Sequence, residues 1–167
     1  MTSLTPTRPQ TAKSQRKTTL KIAYNPKYTI AKYGFDTTRK AQWIADELQN
    51  GAVPNSALVD PASFIERAKE LISEIHSQDY VQALMTGSPS ILATSQGFSW
   101  DKGIWEMVVN STAGVVAATE IALKEGAAGS LSSGLHHARR DSGTGFCTVN
   151  GLAVAADRKS TRLNSSH

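Results

Sequence analysis

Residues 134–150 read GLHHARRDSGTGFCTVN and follow a predicted strand over residues 128–132, which is itself preceded by a long predicted helix over residues 103–124. The middle of that helix is built from small residues, so it can pack closely on a sheet, although the same pattern is equally consistent with an ordinary core helix. A helix that leads into a short apolar strand is the unit of α/β folds. In such folds the loops at the carboxyl ends of parallel strands form the ligand crevice, and residues 134–150 are predicted to form such a loop.

The chain before this stretch alternates in the same way. Strands are predicted at 20–24 and 57–59. A first helix is predicted from Asp36 or Thr37 to the Asn50-Gly51 pair, a second follows Asp60-Pro61 and runs to residue 75, and Ser77 is expected to cap a third. Residues 87–102 are rich in Gly, Ser and Thr and predict a surface loop, and residues 152–156 predict the start of a buried helix. The predicted fold class is α/β with a parallel sheet.

Composition limits the class of protein. The 167 residues suit one domain, and 40% hydrophobic with 19% charged residues indicates a globular protein. One cysteine excludes a disulfide scaffold and a four-cysteine zinc site. No apolar run approaches the ~20 residues that span a bilayer, so we expect no membrane association. Without a secretory signal, the expected location is the cytoplasm.

The net charge of +4 belongs to the two ends of the chain. Residues 1–17 carry +4, residues 157–167 carry +2, and the segment between them carries −2. A basic groove for nucleic acid is therefore not expected. Residues 1–18 lack large apolar groups and are predicted to be a disordered basic tail.

The candidate chemistry lies within residues 134–150. His136 and His137 can divide acid and base roles because the imidazole pKa lies near working pH. Gly145 allows the backbone to approach a ligand, and Phe146 offers an apolar wall. The alternatives are a histidine pair without a role and a Cys147 that is a packed small hydrophobe or, less well supported, the nucleophile of a cysteine–histidine enzyme.

These residues resemble the histone deacetylase family, which includes bacterial acetylpolyamine amidohydrolases. The family landmark is a histidine pair, seven residues, then Gly-Phe-Cys and a nearby Asn; here it is His136-His137 followed by Gly145-Phe146-Cys147 and Asn150. The similarity runs from about residue 20 to 157. Further agreements are Ile22-Ala23-Tyr24 with Pro26 and Tyr28, Arg39, His76-Ser77 with Tyr80-Val81, and Gly114. Because His76 directly precedes a helix cap, it is expected to hold a hydrogen bond rather than to bind a ligand.

The resemblance implies a three-layer α/β/α parallel sheet of the arginase and deacetylase type. It implies zinc-dependent hydrolysis of an acetyl or acyl amide on lysine or a polyamine. His137 would be the general base and then the acid, and His136 would orient the water and stabilise charge. Gly145 and Phe146 would bind substrate, with Phe146 forming one wall of a narrow channel.

Some expected elements of the family are missing. Its zinc ligands include an Asp-x-His element, which occurs nowhere in this chain, and the last tyrosine is Tyr80, so the carbonyl-polarising tyrosine has no counterpart. Residues 19–157 are therefore expected to be the N-terminal part of a catalytic domain, with no metal ligands and no activity. Residues 158–167 resemble a vector-derived tail, which removes His167 as a ligand. The alternative is a non-enzymatic interaction module of deacetylase-like fold.

Overall fold

The computed structural model describes residues 19–32 and 36–164. The predicted basic tail at 1–18 and His167 lie outside these residues. Three strands and six α-helices follow one another in the described chain: β1 (Leu20–Ala23), α1 (Asp36–Gln49), β2 (Ser56–Val59), α2 (Ile65–Ile75), α3 (Gln78–Thr86), α4 (Ser90–Ala93), α5 (Gly103–Glu125), β3 (Ala128–Ser130) and α6 (Gly151–Asn164). Short 3-10 turns at Pro26–Thr29 and Ala62–Phe64 complete them.

The three strands form one parallel sheet in the order β2-β1-β3. Ile22 at the centre of β1 lies opposite Leu58 of β2 and Gly129 of β3. Helix α1 packs against β2, while α5 packs against β1 and β3. The predicted α/β class, with a parallel sheet flanked by helices, is confirmed.

Helix α5 is the largest part of the core. Asp101 accepts a hydrogen bond from the Gly103 N–H at 2.7 Å where the helix begins, and Gly126, with φ of 92°, ends it. Twelve of its 23 residues are buried. Its apolar residues pack with buried side chains of the helices around it, which are Leu71, Ile72, Tyr80, Leu84 and Val154. A helix that is buried over so much of its surface holds the neighbouring helices in one core.

Two local predictions need correction. Strand β3 ends at Ser130 rather than at residue 132, because the Ser130 hydroxyl accepts the Ser132 N–H at 3.2 Å and turns the chain. The segment 87–102 is not a plain surface loop. It contains the one-turn helix α4, and Ala93 and Gln96 are buried.

Other boundaries agree with the sequence patterns. Ser77 caps α3 by accepting the Tyr80 N–H, as predicted. Helix α6 continues through residue 158. The non-native tail expected over residues 158–167 stays a prediction. No helix in the described ranges combines the length and apolar character needed to cross a bilayer.

Candidate active site

The loop between β3 and α6 carries the predicted site residues. It leaves the carboxyl end of β3 and returns to α6, whose Leu152 N–H donates to the Gly134 carbonyl at 3.3 Å. This is the edge of a parallel sheet at which α/β proteins bind their ligands. We call residues 134–150 the histidine loop.

His136 and His137 are both solvent-exposed, and their ring centroids lie 4.0 Å apart with a 41° angle between the ring planes. Leu135, directly before them, has φ of 49°, which is rare for a branched residue. The backbone thus turns sharply at the entrance to the pair. Two adjacent imidazoles that are open to water can exchange protons with a bound molecule.

The residues beyond the pair form a tight hairpin turn. Thr144 and Cys147 exchange both backbone hydrogen bonds, at 3.1 and 2.9 Å, with Gly145 and Phe146 between them. Both central residues have positive φ, 55° and 62°, which is the pattern of a type I′ turn. A phenylalanine in this region is strained, so its neighbours must hold it there.

This turn lies against the histidine pair. A Cβ added at Gly145 would lie 3.3 Å from both Cβ and Cγ of His137. A side chain here would require the exposed imidazole to shift by a few tenths of an ångström, and the positive φ of 55° also favours glycine. Phe146 follows Gly145 directly in the turn. The Phe146 N–H donates to the Gln96 carbonyl at 3.0 Å, and half of its side chain remains exposed. The structure brings together His136, His137, Gly145 and Phe146, the four residues predicted to form the site.

A small cavity adjoins the same turn. It encloses about 50 Å³ and is lined largely by apolar side chains, among them Tyr28, Phe98, Met107, Leu131, Leu135 and Phe146. A space of this size holds a water molecule or a thin alkyl group rather than a bulky ring. Leu135 and Phe146, which flank the histidines in the sequence, contribute to its wall.

Residues at the α2–α3 junction and in the first turn of α3 hold the histidine loop by hydrogen bonds. The Ser77 N–H donates to the Arg140 carbonyl at 2.7 Å, and the Tyr80 hydroxyl donates to the Thr148 carbonyl at 2.8 Å. His76, at the end of α2, accepts the Asn150 N–H on Nε2 at 3.1 Å. The expectation that His76 holds a hydrogen bond is confirmed, although its partner was not predicted.

Residues from the segment 87–102 also support the loop. The Ser95 hydroxyl accepts the Gly143 N–H at 2.8 Å. A Cβ added at Gly143 would lie 2.8 Å from the Gln96 Cβ and 2.9 Å from the Cys147 carbonyl oxygen. Nothing in the sequence indicates that Ser95 and Gln96 support the histidine loop. The Gly/Ser-rich composition of residues 87–102 predicts a loop but does not show which part of the protein it packs against.

Burial alters the chemistry of two supporting residues. It raises the pKa of Tyr80 to about 12, partly opposed by the influence of the Ser95 side chain, so the phenol keeps the proton that it donates. Burial also lowers the pKa of His76, as does the charge of Arg140 to a smaller extent, while the Arg139 and Arg140 carbonyls oppose the shift. A neutral His76 imidazole keeps Nε2 free to accept the Asn150 N–H.

The His76 shift predicts a pH dependence of stability. Between the lowered pKa of the folded state and the ordinary pKa of 6.5, the unfolded chain protonates His76 while the folded chain does not. The free energy of unfolding therefore falls as the pH drops below 6.5, by up to about 1.4 kcal/mol per pH unit, and is fully retained above it. Urea unfolding at about pH 5.5 and pH 7.5 measures this, with His76→Gln as the control that lacks the group. Equal pH slopes for the two proteins would contradict the assignment.

The His, Cys, Asp and Glu side chains of the described residues are not arranged to bind zinc. Within the described ranges, no group of three or more His, Cys, Asp or Glu side chains is placed to bind a metal ion. Structural zinc sites have four protein ligands and catalytic sites have three. The residues that the structure describes therefore do not form a zinc site by themselves.

The parallel sheet, the loop at its carboxyl edge and the exposed imidazole pair define an α/β protein with a site suited to acid–base chemistry. The model of the histone deacetylase domain matches residues 35–166. The chain belongs to the histone deacetylase family.

A curated relative matches part of the chain. An uncharacterized protein from Picosynechococcus sp. (strain ATCC 27264 / PCC 7002 / PR-6) is 33% identical over 82 residues. The match covers 48% of this chain and 27% of the relative. The chain therefore aligns with about a quarter of the length of this relative.

Proposed function

We propose that the product of the complete coding sequence hydrolyses the amide of an acetylated or acylated lysine or polyamine, with zinc as its cofactor, and that this chain supplies the acid–base half of the site. The observation that carries the proposal is the exposed His136–His137 pair, with ring centroids 4.0 Å apart, in contact with the Gly145-Phe146 turn. Family membership supports the reaction class.

His137 is the general base in this proposal. Its imidazole accepts a proton from the water that attacks the acyl carbon, and then gives that proton to the amine that leaves. The His137 side chain lies beside Gly145, so the proposed base stands next to the residues proposed to bind the substrate chain. His136 lies next to it, where it orients the water and stabilises the charge that develops.

Phe146 and Gly145 bind the substrate chain. The exposed half of Phe146 offers an apolar face to the methylene groups of a lysine or polyamine, and Gly145 leaves room for backbone to approach them. The positive φ of Phe146 supports this role, because a strained backbone at a functional residue is retained where it places the side chain usefully.

The test compares two proteins on two substrates. Acetate release is measured from an acetyl-lysine peptide and from an N-acetylpolyamine, with zinc added. We expect the product of the complete coding sequence to hydrolyse at least one substrate and the 167-residue chain to hydrolyse neither, since its described residues lack a zinc-binding group. If the complete product releases acetate from neither, the proposed reaction is wrong. Turnover by the 167-residue chain that His137→Ala abolishes would refute its predicted inactivity.

A further inference from the structure

A chain of hydrogen bonds leads from the core to the histidine pair. It begins at His76, whose side chain is 1% exposed and lies where α2 ends. Its Nε2 accepts the Asn150 N–H at 3.1 Å, although the two residues are 74 positions apart in the sequence. The Tyr80 ring lies 5.7 Å from the His76 ring, centroid to centroid, and helps to enclose it.

Asn150 continues the chain with its carboxamide. The Nδ2 group donates to the carbonyls of His136 and Ala138, each at 3.1 Å. The Oδ1 atom accepts the Ala153 N–H at 3.0 Å and caps α6. One side chain thus joins the backbone on both sides of His137 to the start of a helix.

The carbonyls that Asn150 holds belong to the residues just before and just after His137. Fixing both peptide groups limits the backbone rotation that would swing the two imidazoles away from the Gly145-Phe146 turn. Since His136 and His137 are exposed, packing of their own rings cannot supply this restraint. The restraint has to come through the backbone.

We propose that His76 is a positioning residue: through Asn150 it sets the placement of the His136 and His137 imidazoles. The proposal rests on the proposed function for its catalytic meaning, but its geometry is testable without substrate or zinc. Loss of the Nε2 acceptor leaves the Asn150 N–H unpaired next to a buried side chain, which favours local opening. Asn150 then no longer holds the carbonyls of His136 and Ala138 in one arrangement.

The matched variants are His76→Gln and His76→Asn. The glutamine amide reaches about as far from the backbone as Nε2 and can still accept the Asn150 N–H, whereas the asparagine amide reaches only about as far as Nδ1. Both are neutral and polar, so they differ chiefly in whether the acceptor is present. A role confined to overall stability would move both variants together.

The measurement is NMR of the 167-residue chain, which has four histidines and so allows assignment of each imidazole by single substitution. In His76→Asn we expect shifted or broadened His136 and His137 imidazole signals and about tenfold or faster hydrogen exchange at the Asn150 amide. In His76→Gln we expect imidazole signals close to those of the wild type and exchange within about twofold. Unchanged imidazole signals in His76→Asn, or identical behaviour of the two variants, would overturn the proposal.

Asn150→Asp provides a second variant that avoids the core. Aspartate keeps the backbone N–H for His76 and an oxygen to cap α6, but it lacks the two donors to the His136 and Ala138 carbonyls. We expect α6 to remain helical and the His136 and His137 signals to move. Signals that stay at their wild-type positions would overturn the proposal, whatever the hydrolysis assays show.

Discussion

Gly114→Ala is expected to lower the free energy of unfolding by about 2–3 kcal/mol, although alanine is the better helix former. Gly114 lies in the buried middle of α5, where an added Cβ would overlap the Tyr28 hydroxyl and lie 2.7 Å from Tyr28 Cζ and 2.8 Å from Ser130 Oγ. Tyr28 is 3% exposed and packs edge-on against Tyr24, so it cannot move aside without disturbing the core. The gain in helix propensity, about 1 kcal/mol, does not offset this overlap.

Gly129→Ala is the matched control. It lies in β3, where, among the residues that the structure describes, an added Cβ would meet only Ile22 Cγ1 within 4 Å, at 3.9 Å, an ordinary contact. Urea unfolding of the two variants should separate them clearly, and removal of the tyrosine hydroxyl in Tyr28→Phe/Gly114→Ala should recover part of the loss. An unchanged Gly114→Ala protein, or a Gly129→Ala protein that is equally destabilised, would contradict the close packing of α5 on Tyr28 and β3.

Local patterns in the sequence were sufficient for most elements. The apolar stripe on α2, the Ser77 cap and the small residues of α5 act over a few residues, and each of these helices was predicted close to its observed bounds. The end of β3 was misplaced because a hydrogen bond from the Ser132 N–H to the Ser130 hydroxyl turns the chain there. Helix α4 was missed because its four residues are too few for a periodic pattern.

Of the candidate site, too, the sequence predicted the parts that are close together in the chain and missed the parts that are distant. The histidine pair and the Gly145-Phe146 turn lie in one short stretch of sequence, and the resemblance to the family predicted that they share one site. The hydrogen bonds that support the histidine loop were not predicted, because their partners are distant in sequence. Tyr80 and Thr148 are 68 residues apart, and Ser95 and Gly143 are 48 residues apart. The resemblance had marked His76 and Tyr80 without saying what they hold. The structure assigns both to the histidine loop.

His137→Ala is expected to lower kcat/KM for deacetylation by the complete protein about 100- to 10,000-fold, the usual loss when a positioned general base is removed. The effect should appear mainly in kcat, because the imidazole is proposed to act on the water and the leaving amine rather than on substrate binding. His137 is exposed, so its removal should leave the melting temperature near that of the wild type.

Arg139→Ala is the matched control for this variant. Arg139 lies on the same loop and is also exposed, and its N–H donates to the Ser142 carbonyl through the backbone, which alanine preserves. We expect its kcat/KM to stay within about threefold of the wild type, since no catalytic role is proposed for its side chain.

The most direct measurement of the central claim is kcat/KM of the complete protein for an acetylated substrate, with wild type, His137→Ala and Arg139→Ala assayed side by side. The account predicts a loss of at least about 100-fold that is confined to His137→Ala, with all three proteins folded. A folded His137→Ala protein that deacetylates as fast as the wild type would contradict the assignment of the histidine loop as the acid–base half of the site.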